Sequence, residues 1–516
     1  MKSKYYFLVA CLFLTSIFAA TINIPADYAT IQEGIDAAQD GDIVLIAQGT
    51  YYENLTINKE ITLTSNADFD NIVGTEGWYN DTNIQQTIIN GSVMDDPKKR
   101  SCLIIRDGDI QPTIKGLTFE GGVGTSMIFG SGCASGLPER SGGGILIYDA
   151  YPTINYNRFL SNGISSDTER GRKAAKTGGA IAHYEDAEVE FDEDRDNSSG
   201  NNRSSRNRPL SMNIQNNYFE NNTSGNGQDF YSHGYDGSID VSSSVFANID
   251  CETNTVNDFV LNSLNDVADY VQAGIVGACI EEYDYYVSVS GDNDNSGTVS
   301  APFATIGRAL SFVKEVGDPT TIYVSAGVYS PDLTGEIFPI NIPNNAHLIG
   351  EDAETTILDA DADETKQAAV VIIKEVENLL LKNFTLSNGY SESNGCTGGG
   401  GLLVTADDMF NLSGDRMASN AVIENLIIEN NHSHNGGGVS IFRVDGPSLS
   451  NVIIRNNTNS FMGAGIFHYG SSSTMNDVEI HGNVGFGSEF FGYSNMGHGG
   501  GIFFTGSDGT FTGINI

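Results

Sequence analysis

Basic side chains are scarce in this chain. Lysine and arginine together number 26 against 66 aspartates and glutamates, giving a formal net charge of −40 at pH 7. A surface so one-sided repels nucleic acid and anionic membranes, which excludes both as partners, and it favours divalent cations. Solubility in a salty exterior follows from the same charge. Tryptophan occurs once, as Trp78, and cysteine six times. Past the N-terminus no apolar run is long enough to cross a bilayer. Residues 1–20 read as a secretory signal, with Lys2 and Lys4 as the basic end, Tyr5 to Phe18 as the apolar run and Phe18-Ala19-Ala20 as the cleavage site. Export places the remaining Cys102, Cys133, Cys251, Cys279 and Cys396 in an oxidising compartment. Cys251 with Cys279 is the first candidate pair, because the two bracket a stretch without repeats; Cys102 with Cys133 is the second, and Cys396 is left over.

What the chain has instead is repetition. Asn425-Leu-Ile-Ile-Glu-Asn-Asn431, Asn451-Val-Ile-Ile-Arg-Asn-Asn457 and Asn476-Asp-Val-Glu-Ile-His-Gly-Asn483 are one phrase at a period of 26 residues. A period of roughly 20–50 residues is the mark of a solenoid, whose units are too small to bury their own apolar faces. Leu426 and Ile428, Val452 and Ile454, Val478 and Ile480 alternate at a spacing of two, so each unit carries a strand with one dry face. Phe119, Phe159, Phe219, Phe246 and Leu386 fill the place of Ile428, Ile454 and Ile480 in earlier units. Five residues upstream of each stands another apolar residue (Ile114, Ile154, Ile214, Val241, Leu381, Ile423, Leu449, Met475). An odd offset cannot stay on one face of a straight strand, so a bend lies between, where Asn157, Asn217, Asn383 and Asn425 sit; Asn tolerates a left-handed bend best after Gly. A second corner follows at Gly121-Gly122, Asn162, Asn221-Asn222, Asn248, Asn388, Asn430-Asn431, Asn456-Asn457 and Asn483, and glycine runs then precede further strands, as at Gly142-Gly-Gly-Ile145 and Gly436-Gly-Gly-Val439.

The expected fold is therefore all-β: a right-handed parallel β-helix solenoid in two tandem arrays, each opened by a short capping helix. Thr30 caps a helix with Ile31, Ile35 and Ala38 on one face, followed by a strand at Asp42-Ile-Val-Leu-Ile46 and a turn at Gly49-Thr-Tyr-Tyr-Glu53. The same order returns at Tyr286-Val-Ser-Val289, Pro302-Phe-Ala-Thr-Ile-Gly-Arg-Ala-Leu310, Thr321-Ile-Tyr-Val324 and Gly327-Val-Tyr329. Residues 21–250 thus form the first array, with an exposed insertion at 185–209. Residues 251–284 form a connector and 285–516 a second array, which stops at Ile516 inside a coil, as though its C-terminal end were truncated.

Several families are similar in short motifs. The segment Thr30 to Glu53 resembles the opening of secreted, pectate-lyase-like right-handed β-helix proteins, among them pectin methylesterases, which share Gly-x-Tyr-x-Glu. Gln228-Asp229-Phe230-Tyr231 resembles one esterase site motif, but a second Asp motif and an Arg-Pro-Trp segment are absent. The second opening resembles an uncharacterised domain that introduces secreted bacterial β-helix proteins, some similar to polysaccharide lyases. That resemblance implies Ca²⁺ and a Lys or Arg base acting beside a uronate. Asp292 and Asp294, in the turn Gly291-Asp-Asn-Asp-Asn-Ser-Gly-Thr298, offer hard oxygen ligands for Ca²⁺, although an ordinary Asp/Asn/Gly turn has the same composition. Lys382 and Arg455 are outward basic candidates. Gly497-His498-Gly499 and Asp407-Asp408 resemble polygalacturonase elements without their partner motifs. Gly178-Gly-Ala-Ile181 with Phe159-Leu-Ser-Asn162 is similar to the repeats of chlamydial polymorphic outer-membrane proteins, which resemble adhesins. No catalytic set can be assembled from these pieces. The expectation is a secreted or cell-surface scaffold that binds polysaccharide or cell-surface glycans, with a Ca²⁺-dependent lyase of acidic polysaccharide as the alternative.

Overall fold

The computed structural model describes residues 19–92, 98–106, 108, 110–129, 139–163, 177–185, 189–191, 209–224, 227–235, 237–256, 259–262, 269–280, 284–293, 295–313, 318–374, 376, 378–392, 398–405, 417–486 and 500–516. Strand after strand pairs in parallel with the strand one coil away. In the first array each coil visits three sheets in turn, for example Thr113–Lys115, Thr118–Glu120 and Ile145–Tyr148, then Thr153–Asn155, Arg158–Leu160 and Ile181–Tyr184. The result is a right-handed parallel β-helix. The second array is built alike, but in its later coils the first two strands fuse into one bent strand, such as Leu380–Ser387, Val422–Glu429 and Val444–Arg455.

The interior follows the sequence register. Phe119 lies beside Phe159 and Phe159 beside Phe219, and their rings stack at 5.2 and 5.1 Å, with Phe246 a further 5.0 Å on. In the second array Leu386, Ile428, Ile454 and Ile480 form the matching column, all buried. Burying each such side chain favours the fold by about 1.5–3 kcal/mol. No coil could hold this surface dry alone, which is why the units stack.

At the second corner two adjacent residues divide the labour. Asn388, Asn430 and Asn456 take left-handed backbone at φ 54°, 59° and 55°, a conformation open to Asn at little cost. The residue after each turns inward. Asn431 donates through Nδ2 to Asn457 Oδ1 at 3.0 Å, and Asn457 repeats this to Asn483 at 3.0 Å. The first array carries the same ladder from Asn162 to Asn222 at 3.1 Å. Both ladders begin at a glycine whose amide donates to the first Asn, Gly122 to Asn162 and Gly389 to Asn431. A Cβ on Gly122 would lie 1.9 Å from the Gly143 carbonyl oxygen, so only glycine fits.

The first bend differs between the arrays. Asn383 and Asn425 adopt φ 66° and 54° as expected, but in the first array Tyr156 and Asn216 carry the positive φ. Asn157 and Asn217 are instead fully buried and bonded to each other across 60 residues, forming a second ladder.

Both arrays open with a helix capped twice. Thr30 caps Ile31–Ala37 in a capping box with Glu33, and Thr305 caps Ile306–Leu310. A glutamate from farther along the chain then accepts two of the remaining amides: Glu53 from Ile31 and Gln32 at 2.9 and 3.0 Å, and Glu336 from Ile306 and Gly307 at 2.7 and 3.0 Å. Four amides at a helix start lack partners within the helix, and a carboxylate also suits the positive end of the helix dipole.

Two expectations need correction. Gly49–Tyr52 is a strand of the second sheet rather than a turn, pairing with Thr87–Asn90. Residues 251–284 are not merely a connector: Phe259–Asn262 and Val276–Cys279 each add a strand to a long sheet of the first array, and Asp269–Val271 adds one to the short sheet of Ser211–Asn213 and Ser238–Asp240. The stretch lacks the Asn-rich corner phrase, which hid its strands. Cys251 and Cys279 are joined by a disulfide with Cα atoms 5.3 Å apart, and Cys279 is the register partner of Ile249, so the bond staples this coil to the one before it.

Candidate functional site

A group of outward side chains comes together on a short sheet of the second array. Its strands are Tyr390–Ser391, His432–Asn435, Thr458–Met462 and Val484–Gly485. They occupy the corner between the bent strand and the following glycine run. Period-two alternation sends Ser433 and Asn435 inward, both buried, and His432 and His434 outward. Register then aligns Tyr390 with His432 and His432 with Thr458.

These residues form a continuous strip. The Tyr390 ring stacks on His432 at 4.5 Å and the His434 ring on Phe461 at 5.2 Å. Glu392 reaches both histidines: its Oε1 accepts from His432 Nε2 at 2.6 Å, and its Oε2 lies 3.7 Å from His434 Nδ1. His432 Nδ1 meets Thr458 Oγ1 at 2.7 Å, and His434 Nδ1 meets Ser460 Oγ at 3.0 Å. Burial works to raise the Glu392 carboxyl, but bonds from His432, His434 and Ser460 outweigh it and hold the acid below the usual carboxylate range. Tyr390 is pushed up by burial and by the negative charges of Glu392, Glu364 and Asp363. The strip thus combines flat rings, hydroxyls, a carboxylate and two titratable imidazoles on a half-exposed face.

None of these residues was singled out by sequence alone. A signal was present, because Tyr390-Ser-Glu392, His432-Ser-His434 and Thr458-Asn-Ser460 stand at the same distance past successive corners. Seeing it required aligning outward positions instead of inward ones.

The residues expected to act are placed differently. Lys382 Nζ lies 3.1 Å from Glu424 and Arg455 Nε 2.6 Å from Glu429, each pair bridging adjacent coils at the same register. Both bases are therefore neutralised by a neighbour and stand in separate columns. Asp292 lies in the turn before the second capping helix. There the Asn293 side chain accepts from the Ala304 and Thr305 amides at 3.0 and 3.1 Å, and Asn295 donates to the Pro302 carbonyl at 2.9 Å. These side chains brace the cap, and the Asn293 oxygen is engaged by those amides. Among the described residues no group of three His, Cys, Asp or Glu is arranged to hold a metal ion. Asp294, Cys133, Cys396, Asp407-Asp408 and Gly497-His498-Gly499 lie outside the described residues, as do residues 1–18 and most of 185–209. Cys102 is free and buried, its thiol pushed up to about 12 by burial.

Asp229, in the motif that resembles an esterase element, sits where the arrays meet. It accepts from Asn222 Nδ2 at 3.0 Å, ending the Asn ladder, while Gln228 Nε2 donates to the Gly307 carbonyl on the second capping helix at 3.5 Å. Burial pushes its carboxyl up to about 6 against the pull of Asn222 and Arg308. Asp229 thus closes the ladder of the first array, and its neighbour Gln228 makes the hydrogen bond to the second.

Fold and strip together define a parallel β-helix protein with an aromatic and ionisable outward face. Residues 289–501 match the model of a family described as a protein of unknown function, DUF1565. No curated protein matches the chain. Similar solved structures include the A-module of the Azotobacter vinelandii mannuronan C-5 epimerase AlgE4, at 9% identity, covering 95% of this chain and 92% of that one, with a TM-score of 0.16. The PL6 family alginate lyase AlyGC aligns at 10% identity over 95% and 100% of the two chains, with a TM-score of 0.17. PfbA, a surface adhesin of Streptococcus pneumoniae, aligns at 10% identity over 91% of each, with a TM-score of 0.15. At these scores none adds to what the strand register itself establishes.

Proposed function

We propose that the protein is a secreted or cell-surface scaffold that binds glycans, and that the strip from Tyr390 to Phe461 is where the sugar docks. The observation that carries this reading is the spacing of flat rings between hydrogen-bonding groups on one outward face of a rigid sheet. A pyranose offers an apolar face to an aromatic ring and a rim of hydroxyls to side chains such as Thr458, Ser460 and Glu392, the mix of apolar surface and few polar groups that small-ligand sites use. A β-helix adds a long straight track for an extended polymer. Secretion rests on the reading of residues 1–20; among the described residues no helix is long and apolar enough to cross a membrane.

Titration calorimetry of the full chain with neutral and acidic oligosaccharides tests the proposal. Binding that weakens at least about tenfold in Tyr390→Ala and in Phe461→Ala supports it, on the scale of roughly 1–2 kcal/mol for a lost aromatic contact. Absence of binding to any oligosaccharide, or binding indifferent to both changes, overturns it. The lyase alternative is read in the same cuvette: ultraviolet-absorbing unsaturated products from an acidic polysaccharide in the presence of Ca²⁺ would favour it.

A further inference from the structure

We infer that the strip takes up carboxylated sugars, but not neutral ones, more tightly in mildly acidic surroundings, an inference that rests on the glycan-binding reading of the same site. Two imidazoles share one carboxylate. Histidine is the side chain whose ordinary titration falls between pH 5 and 8. With both rings protonated, two positive imidazoles stand beside ionised Glu392 and offset most of the charge of Glu392, Asp363 and Glu364 around the strip, on a protein of formal net charge −40. The geometry accommodates that state. Both nitrogens of His432 face oxygens able to accept, Glu392 Oε1 at 2.6 Å and Thr458 Oγ1 at 2.7 Å, as a doubly protonated ring requires. His434 Nδ1 faces Ser460 Oγ at 3.0 Å and Glu392 Oε2 at 3.7 Å.

The surroundings sharpen the choice of ligand. From the preceding strand come Tyr390 and Glu392, and from the turn beyond it Asp363 and Glu364, whose charges reach Tyr390. Lys366 in that turn lies 3.6 Å from Asp361 and 50% exposed, in an ion pair of its own. The following strand, Thr458–Met462, supplies no titratable group. The two histidines are therefore the groups, among the described residues of the strip, whose protonation relieves its negative charge. Once they lose their protons, Glu392, Asp363 and Glu364 make it repel a carboxylate. A uronic acid seated on the rings of Tyr390 and Phe461 would direct its carboxylate at the imidazoles, where their protonation changes affinity roughly threefold to tenfold.

The test uses trigalacturonate and its neutral counterpart galactotriose as probes, with the full chain, at pH 5.5 and pH 8. Trigalacturonate is expected to bind roughly threefold to tenfold more tightly at pH 5.5, with galactotriose unchanged between the two. His434→Gln should reduce that pH dependence, and His432→Gln with His434→Gln should abolish it, while His434→Gln keeps the circular dichroism and melting temperature of the parent. Glu392→Gln, which removes the negative charge, should bind trigalacturonate more tightly than the parent at pH 5.5. Equal pH dependence for both sugars, or a folded His434→Gln protein with the undiminished pH dependence of the parent, overturns the inference and leaves glycan binding standing. Failure of both sugars to bind at either pH overturns the glycan reading itself.

Discussion

The two arrays treat one corner in opposite ways. Past the second strand of a coil, the first array runs into an excursion, the antiparallel pair of Thr125–Phe129 with Glu139–Ser141, whose Met127 packs with the outward side chains Ile104, Leu146 and Tyr184. The second array closes the same corner with a regular four-stranded sheet and leaves its outward side chains half-exposed. Yet both keep the inward column and the Asn ladder intact. Ladder rungs are 60 residues apart in the first array and 26 in the second. Coil length is thus free provided the ladder and the column realign afterwards, and a loop's closure cost grows only slowly with its length. The corner is where new surface can be added without disturbing the stack.

Breaking the inward column should cost most. Phe159→Ala removes the middle ring between Phe119 and Phe219, and a loss of about 3–5 kcal/mol is expected in chemical unfolding. Ile454→Val, in the matching column of the second array, should lose only about 0.5–1.5 kcal/mol. Equal losses would mean that the two columns are not equivalent places. Next comes the staple: Cys251→Ser with Cys279→Ser should lower stability by about 3 kcal/mol, because it frees a loop spanning 28 residues. A melting temperature unmoved by reduction would deny the last coil its bond.

The second cap should show in pH. Burial pushes Glu336 up to about 7 against the bonds from Gly307, Ile306 and Ile337. A carboxyl raised in the folded state adds stability that is full below about pH 4.5 and is lost as pH rises through about 7. Between pH 5 and pH 8 the parent should therefore lose on the order of 3 kcal/mol relative to Glu336→Gln. Parallel pH profiles for the two proteins would contradict this.

Smaller effects separate the two residues of an Asn pair. Asn457→Ala deletes a buried rung bonded to Asn431, Ile428 and Asn483 and should cost about 1–3 kcal/mol. Asn456→Gly keeps a left-handed backbone at φ 55° and should change stability by less than about 1 kcal/mol. Reversal of that order would undo the division of labour at the corner.

Much of this was legible in the residues. Phe119, Phe159, Phe219, Leu386, Ile428, Ile454 and Ile480 all face the dry interior because apolar spacing of two, repeated at a fixed period, has few other solutions. The first capping helix was legible from Thr30 as its cap and the second from the return of the same order of elements around Pro302 to Leu310. Asn157 was misplaced because both a left-handed bend and a buried ladder select Asn, and only the neighbouring φ tells them apart. The strip was missed because outward positions carry no periodic apolar signal. Its meaning lies in contacts between residues 26–42 positions apart, which exist only once the coils are stacked. Lys382 and Arg455 were correctly placed outward, but the carboxylates that neutralise them belong to the next coil or the one before.

Everything above depends on the register of the stack, and one distance measures it. Lys382, Glu424, Ser450, Asn476 and Thr512 are successive register partners, four steps of about 4.8 Å each. Spin labels at Lys382 and Thr512 should therefore give a single narrow distance by double electron–electron resonance, centred near roughly 20 Å. A distance beyond about twice that, or a broad spread, would mean that these residues do not share a column and that Tyr390, His432 and Thr458 do not form one strip.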